Sequence, residues 1–456
     1  MDVNPVDERR AKRVAFAMFV GTALETYDFM LYGLAAPLVF TRLFFVSENH
    51  FVATLSAFAT FAVGFAMRPV GAALFGHLGD RFGRRRCLIF TIGLIGITTC
   101  LIGILPTYAT MGLAAPIALT LLRAVQGVAI GGEWGGAVTL AVEHASPGAR
   151  ARAAAMTQLG APIGILAATG AFFLVSLMPR EAFDAWSWRL PFLAAMPMLA
   201  AVLWLRSRVD ESPIFERVKD AEHLSHSPLR ELIFRDFRRF LIGASGCMLG
   251  IGGFYLMSSY VISYVTDNLH LPRSLMLAAS ALAGVAQIFV VLAGGRLGER
   301  YGNSSVVAAG GLLTLALAFP IFALIDSGNP AAAVLGIIIG TAVVYIPVSV
   351  IGSFLAELFP VARRYSGLGV CSNVAGVLSG FVPMAAAAGQ HASGSSWPVS
   401  GLLVTLAAIT TVAALIAPRY AADDDEARHE PSRSQTGPTA GIDGKFGNHP
   451  SSEAYS

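Results

Sequence analysis

The sequence predicts an all-α membrane protein in which twelve transmembrane helices form two pseudo-symmetric six-helix halves. Three observations carry that prediction. The 456 residues are 55% hydrophobic and only 13% charged, with a mean hydropathy of +0.63, and their apolar residues gather into twelve long runs. The Lys and Arg residues fall almost wholly on one side of those runs when sides alternate. A loop sequence beginning at Gly76 recurs 219 residues later.

Each run is roughly 20–30 residues, long enough for a tilted helix to cross a bilayer. The first, 14–41, follows Arg9, Arg10, Lys12 and Arg13. It is too long for a signal-peptide core, contains acids and lacks a small-residue cleavage site, so it reads as a retained helix with a cytoplasmic N-terminus. Arg42 separates it from 51–76, and Arg81, Arg84, Arg85 and Arg86 mark the junction with 86–106. The fourth run, 111–143, ends before Arg150 and Arg152; the fifth and sixth, 152–178 and 188–206, meet around Arg180 and Arg189. A polar segment rich in Arg, Glu and His, 207–238, then links two halves, 1–206 and 239–420. Runs 239–266 and 274–295 flank Arg273, and Arg296 and Arg300 precede 304–325. Runs 331–358 and 366–389 flank Arg363 and Arg364, and 399–418 is the last. The tail, 421–456, is polar, rich in Gly, Pro and Ser, and reads as disordered, without heptads.

With the N-terminus inside, 26 basic residues lie inside and four outside, and Arg68 and Arg123 lie within spans. An even number of spans places both termini in the cytoplasm. This distribution accounts for the net charge of +3 and the pI near 8.7 without any nucleic-acid partner. Cys87, Cys100, Cys247 and Cys371 lie far apart in apolar runs, which indicates neither a metal site nor a disulfide framework. No nucleophile–base constellation and no phosphate loop ending in GKS or GKT is present, so neither an enzyme, nor a cofactor, nor ATP coupling is expected.

The costly residues are those charged within a span. Glu25 and Asp28 sit in GTALETYDFMLYG, and their i, i+3 spacing puts both on one side of a helix, with Gly21 and Tyr32 extending the stripe. A carboxylate near mid-membrane costs roughly 2.5–3.5 kcal/mol on insertion scales. Arg123 lies roughly 18 Å into its span, at similar depth. A guanidinium there needs a partner, Asp28 or Glu25, and can grip a carboxylate through two bonds. It reads either as a switch, released to a substrate anion when an acid is protonated, or as a permanent ion pair. Beyond it come Gln126 and the glycines Gly127, Gly131 and Gly135, with Gly132 and Gly136, a surface for close helix contact. Glu133 on that face either relays a proton or bonds a neighbour. Gln158, Tyr255, Tyr260, Tyr264, Gln287, Tyr345 and Asn373 are the remaining polar candidates; Tyr260 and Tyr264 share a face and read either as cavity-lining or as packing and interfacial residues. Arg68, before Pro69, is expected near the cytoplasmic face, snorkelling to water.

In the repeat, GHLGDRFGRRR from Gly76 becomes GRLGERYGNSS from Gly295, so Asp80 matches Glu299 and Arg81 matches Arg300. Glu143 and Arg150 are echoed by Glu357 and Arg364. Parallel halves of this kind can rock about a central cavity. Asp80, Arg81, Arg84, Glu143, Glu299 and Arg300 at the cytoplasmic mouth read as a gate, as a topogenic anchor, or as both.

Those two loops and RAVQGVAIGGEWGGA from Arg123 resemble the signature motifs of the major facilitator superfamily. ETYDFMLYG, GGEWGGAVTLAVEHASPGAR, WSWRLPF, ESPIF and ELFPVARRYSG are similar to its metabolite:proton symporter family, over residues 14–420. That family includes transporters of dicarboxylates, citrate, shikimate and proline or betaine. Thr26 stands where the family often has Trp; Asn303, Ser304 and Ser305 replace a basic run; and the coiled coil of osmosensing members is missing. The resemblance implies a monomeric carrier in the bacterial inner membrane that moves a small metabolite with protons. Glu25, Asp28 and Glu133 are the candidates for the proton; Arg123, Tyr32, Gln126, Gln158, Tyr260, Tyr264 and Asn373 are those for the substrate, an organic anion or zwitterion. The alternatives are a proton-driven efflux antiporter and a transporter-like nutrient sensor.

Overall fold

The computed structural model describes residues 5–45, 50–220, 231, 232 and 234–422. The tail expected to be disordered lies outside the described residues from 423 onward, as do 221–230 and 233 of the expected link.

Twelve long helices make up the described chain. Six precede the link: α1 (Pro5–Ala35), α2 (His50–Phe82), α3 (Arg84–Ile104), α4 (Ala114–His144), α5 (Arg150–Ser176) and α6 (Ser187–Ser207). Six follow it: α7 (Phe237–Thr266), α8 (Arg273–Tyr301), α9 (Asn303–Ile325), α10 (Pro330–Leu358), α11 (Val361–Ser393) and α12 (Trp397–Tyr420). Among the described residues, all but α2 are long and apolar enough to cross a membrane, and α2 is 33 residues long. A short helix, Pro213–Asp220, lies in the link.

The helices overrun the apolar limits at several ends, because hydropathy reports the edge of the hydrocarbon and a helix continues into the polar zone. α1 starts at Pro5 rather than 14, and α8 runs to Tyr301 rather than 295. What stops α2 and α8 is the repeated glycine. Gly83 and Gly302 have φ of 115° and 86°, a region open to glycine and closed to most side chains.

One apolar core draws only on α1 to α6 and their connections, among them Leu31, Phe40, Ile92, Leu119 and Trp188. A second draws only on α7 to α12, including Met257, Phe322 and Leu403. A third joins the two sets through Val138 and Ala154 on one side and Val350, Phe354 and Leu368 on the other. Close backbone approach sets the α2–α4 contact: a Cβ on Gly71 would lie 1.8 Å from the Val128 carbonyl oxygen, and one on Gly131 2.0 Å from that of Arg68. The glycine face of α4 divides its work. Gly127 and Gly131 receive α2, whereas Gly135 meets the Gly369 backbone of α11.

The start of α1, the link and the end of α12 share one face, here the terminal face. Arg10 pairs with Asp210 at 2.6 Å, and Arg239 donates to the Tyr420 carbonyl at 3.1 Å.

Candidate functional site

A cavity of about 260 Å³ lies between the two sets of helices. Glu25 and Phe29 of α1, Phe65 and Arg68 of α2, Trp134 of α4 and Gln158 of α5 wall one side. Phe254 and Tyr255 of α7, Tyr345 of α10 and Asn373 of α11 wall the other. α7 reaches this wall through two π-helical turns, Leu249–Gly253 and Leu256–Tyr260, which rotate its side chains out of regular register. Such turns leave no signature that periodicity could reveal.

Arg68 corrects the sequence reading. It faces this central cavity and does not snorkel to the terminal face. It lies two residues beyond the midpoint of α2, a position hidden when the span is ended at 76. Its guanidinium sits over the rings of Phe29, 4.8 Å from the centroid, and Phe65, 4.6 Å. Phe29 and Phe65 meet edge to face at 5.2 Å, and Phe65 meets Tyr255 of the opposite wall at 6.2 Å. These rings lie on the side of the cavity remote from the terminal face.

The two acids of α1 part company. Three residues leave them about 60° apart around the helix, enough to give them different neighbours. Glu25 turns to the cavity, and its Oε2 is buried with no hydrogen-bond partner among the described residues. Asp28 turns into the first six helices and is fully buried. Its Oδ1 accepts from the Thr99 hydroxyl at 2.5 Å and from Gln126 Nε2 at 2.8 Å. Its Oδ2 lies 3.6 Å from Arg123 Nη1, and that nitrogen donates to Gln126 Oε1 at 3.1 Å. Arg123 rests 4.4 Å above the Tyr32 ring, whose hydroxyl shares a hydrogen bond of 2.7 Å with Thr60. Arg123 therefore has Asp28, and not Glu25, as its ion-pair partner. Thr99, unnoticed in the sequence, completes the set. Arg123, Gln126 and Tyr32 are enclosed beside the cavity and do not line it in this state.

Gln158 and Asn373 do line the cavity, and both also join the two sets of helices. Gln158 accepts from Trp134 Nε1 at 2.7 Å and donates to the Val348 carbonyl at 3.3 Å. Asn373 donates to the Gly131 carbonyl at 3.1 Å. Tyr260 and Tyr264 do not line it. They stack at 5.8 Å inside the second core, with the Tyr264 hydroxyl donating to Asp326 at 2.8 Å. The cavity tyrosines are Tyr255 and Tyr345. Glu133 is buried in an ion pair with Arg206 of α6 and accepts from the Thr91 hydroxyl at 2.6 Å. Arg206, counted in the sequence as a cytoplasmic charge, is itself buried.

Between the cavity and the terminal face, buried charges tie the halves together. Asp80 accepts the backbone N–H of Tyr365 at 3.2 Å and of Ser366 at 2.9 Å, capping the start of α11. Arg84 lies 3.4 Å from Asp80 and 3.6 Å from Glu143, and donates to the Val361 carbonyl at 2.6 Å. Arg364 reaches Glu143 at 3.4 Å. The repeated set is different. Glu299 pairs with Arg152 at 2.7 Å, but Arg152 is 62% exposed, and Asn303 donates to Glu357 at 2.6 Å. The structure does not bring Arg81 and Arg300 into either set; both are exposed over their neighbours Phe82 and Tyr301. The terminal face is therefore closed.

The chain matches the sequence profile of the Major Facilitator Superfamily over residues 18–383 and again over 242–450. It is 38% identical over 392 residues to the shikimate transporter of Escherichia coli K12, covering 85% of this chain and 90% of that one. It is 36% identical over 423 residues to the inner membrane metabolite transport protein YhjE of the same organism, covering 91% and 95%. The solved structure of the proton:xylose symporter XylE of E. coli, bound to 6-bromo-6-deoxy-D-glucose, is similar with a TM-score of 0.74 and 16% identity, over 91% of this chain and 96% of that one. At that identity the likeness is one of fold.

Proposed function

The chain belongs to the major facilitator superfamily, among its metabolite transporters and not among enzymes, and we propose that it is a proton-coupled symporter of a small organic anion. One arrangement carries this reading: a buried Asp28–Arg123 pair at 3.6 Å, one helical turn from a cavity that presents Arg68 and Glu25. Arg68 is the cation placed to receive a substrate carboxylate. Two flanking rings hold its planar fork, and a guanidinium binds a carboxylate through two parallel bonds. Glu25 opposes a second negative charge in the cavity unless it carries a proton or meets a cationic group. The site thus takes a monocarboxylate with Glu25 protonated, or a zwitterion with Glu25 ionised. Shikimate, for which one relative is named, is an anion of the first kind.

In the proposed cycle, a proton on Asp28 removes the charge that holds Arg123. α1 and α4 can then shift against each other, and the two sets of helices rock about the loaded cavity. The terminal face is cytoplasmic on this reading, in the inner membrane of a bacterium, because the basic residues concentrate there. Uptake into proteoliposomes under an imposed pH gradient is the test, with organic acids, amino acids and betaines as competitors. Acid outside should drive accumulation, carboxylates should compete best, and dissipating the gradient should abolish uptake. Export in place of uptake would make the protein an antiporter. No gradient-driven flux with any competitor class would sink the transport reading in favour of a sensor.

A further inference from the structure

Four residues beyond α6, the segment joining the two sets of helices is built into the closed terminal face. The Glu211 carboxylate accepts the backbone N–H of Arg84 at 3.0 Å, of Arg85 at 3.2 Å and of Ser212 at 3.0 Å. It therefore caps the start of α3, whose first amides have no partner within the helix. A Cβ on Gly83 would lie 2.4 Å from Glu211 Oε2, so the repeated glycine leaves room for the cap. The Ser212 hydroxyl accepts from the Phe215 N–H at 3.1 Å and starts the helix Pro213–Asp220. That turn brings the Phe215 ring against the Arg84 guanidinium, 4.1 Å from its centroid. Phe215 is 2% exposed and Ser212 fully buried, so this is interior structure and not a loose tether.

Arg84 is one of the residues that span the closure, donating to the Val361 carbonyl of the other half at 2.6 Å. The turn Val361–Arg363 also packs against the helix Pro213–Asp220. Beyond the undescribed stretch, Arg363 pairs with Glu231 and Asp236, each at 2.7 Å. A free arginine samples many rotamers, and ordering it is entropically costly. A ring on one side and carboxylates on the other leave the guanidinium one position, aimed across the interface. We propose that Glu211 and Phe215 are positioning residues of the gate: the cap sets where α3 begins, and the ring holds Arg84 dry and extended toward Val361. When this face opens, Arg84 loses Val361 but keeps Phe215 and Glu211, so the segment stores the geometry needed for closing again.

The term gate rests on the rocking cycle proposed above, but the following readout needs neither substrate nor proton gradient. Ser366, buried where its N–H meets Asp80, is replaced by the near-isosteric cysteine in the full chain. Alkylation by a polar maleimide is timed in detergent. The native chain, whose four cysteines are buried, supplies the background. Phe215→Leu keeps apolar volume and loses the ring; Glu211→Gln keeps shape and loses the charge. Each should speed modification of S366C roughly tenfold, the scale expected for a lost desolvated cation–π contact or charged cap. Phe215→Tyr, which restores an aromatic face, should stay within about twofold of the parent. Equal rates for Phe215→Leu and Phe215→Tyr, or unchanged rates for Phe215→Leu and Glu211→Gln, would overturn the proposal.

Discussion

A carboxylate enclosed with an arginine is stable only while each offsets the desolvation of the other; removing one charge leaves the second buried and uncompensated, at a cost on the order of 3–5 kcal/mol. In the proposed cycle that asymmetry lets the Asp28–Arg123 pair work as a switch, and three substitutions separate the roles of Asp28, Arg68 and Arg123. Asp28→Asn should lower gradient-driven accumulation at least tenfold while substrate exchange persists; accumulation and exchange assays on one preparation check this. Arg68→Lys removes the fork and should raise KM for a carboxylate substrate ten- to a hundredfold, on the order of 1.5–3 kcal/mol of charged hydrogen bonding. Arg123→Lys should instead lower the transport rate with little change in KM, because Arg123 is enclosed and Arg68 lines the cavity. Measuring KM and kcat for both variants decides between the two arginines. The sequence makes every one of these residues conspicuous as a charge within an apolar run. It leaves their partners open, since 60° of rotation separates a cavity-facing Glu25 from an enclosed Asp28.

At the scale of elements, the contact between α2 and α4 is backbone against backbone. Gly71, Gly127 and Gly131 leave no space for a side chain, so Gly131→Leu must part the helices that carry Arg68 and Arg123. The expected loss is roughly 1–3 kcal/mol of stability, read as a lower midpoint of thermal unfolding in detergent together with lost uptake. This packing was legible as a glycine stripe at i, i+4. The α7 wall was not. Its π turns bring Tyr255 to the cavity and leave Tyr260 and Tyr264 in the core, and a regular helical wheel cannot anticipate that change.

Over the whole molecule, the repeat yields two sets of charges at the terminal face that are equivalent in sequence and unequal in environment. Asp80 and Arg84 are fully buried, whereas Arg152, which meets Glu299, is 62% exposed. Exposed ion pairs contribute about 0–1 kcal/mol. Arg152→Ala should therefore leave uptake within about twofold of the parent. Asp80→Asn should reduce it at least tenfold, since the carboxylate that caps α11 is also the partner of Arg84. Uptake by the two variants at matched protein levels tests the difference. Glu299 in place of Asp80 and Asn303 in place of Arg84 already mark the copies as unlike, but their burial depends on the helices laid over each.

The sequence alone determined the number of spans, their direction relative to one another and the duplication behind them. Hydropathy, charge bias and a repeated loop are local properties, written in consecutive residues. Tertiary structure decided that Arg68 and not Arg123 faces the cavity, that Asp28 and not Glu25 holds Arg123, that Glu133 belongs to Arg206, and that Glu211 and Phe215 brace Arg84. The first three depend on how far a helix is turned about its own axis. That angle is set by packing against helices distant in the chain, through glycine contacts and π turns whose effect no single segment carries.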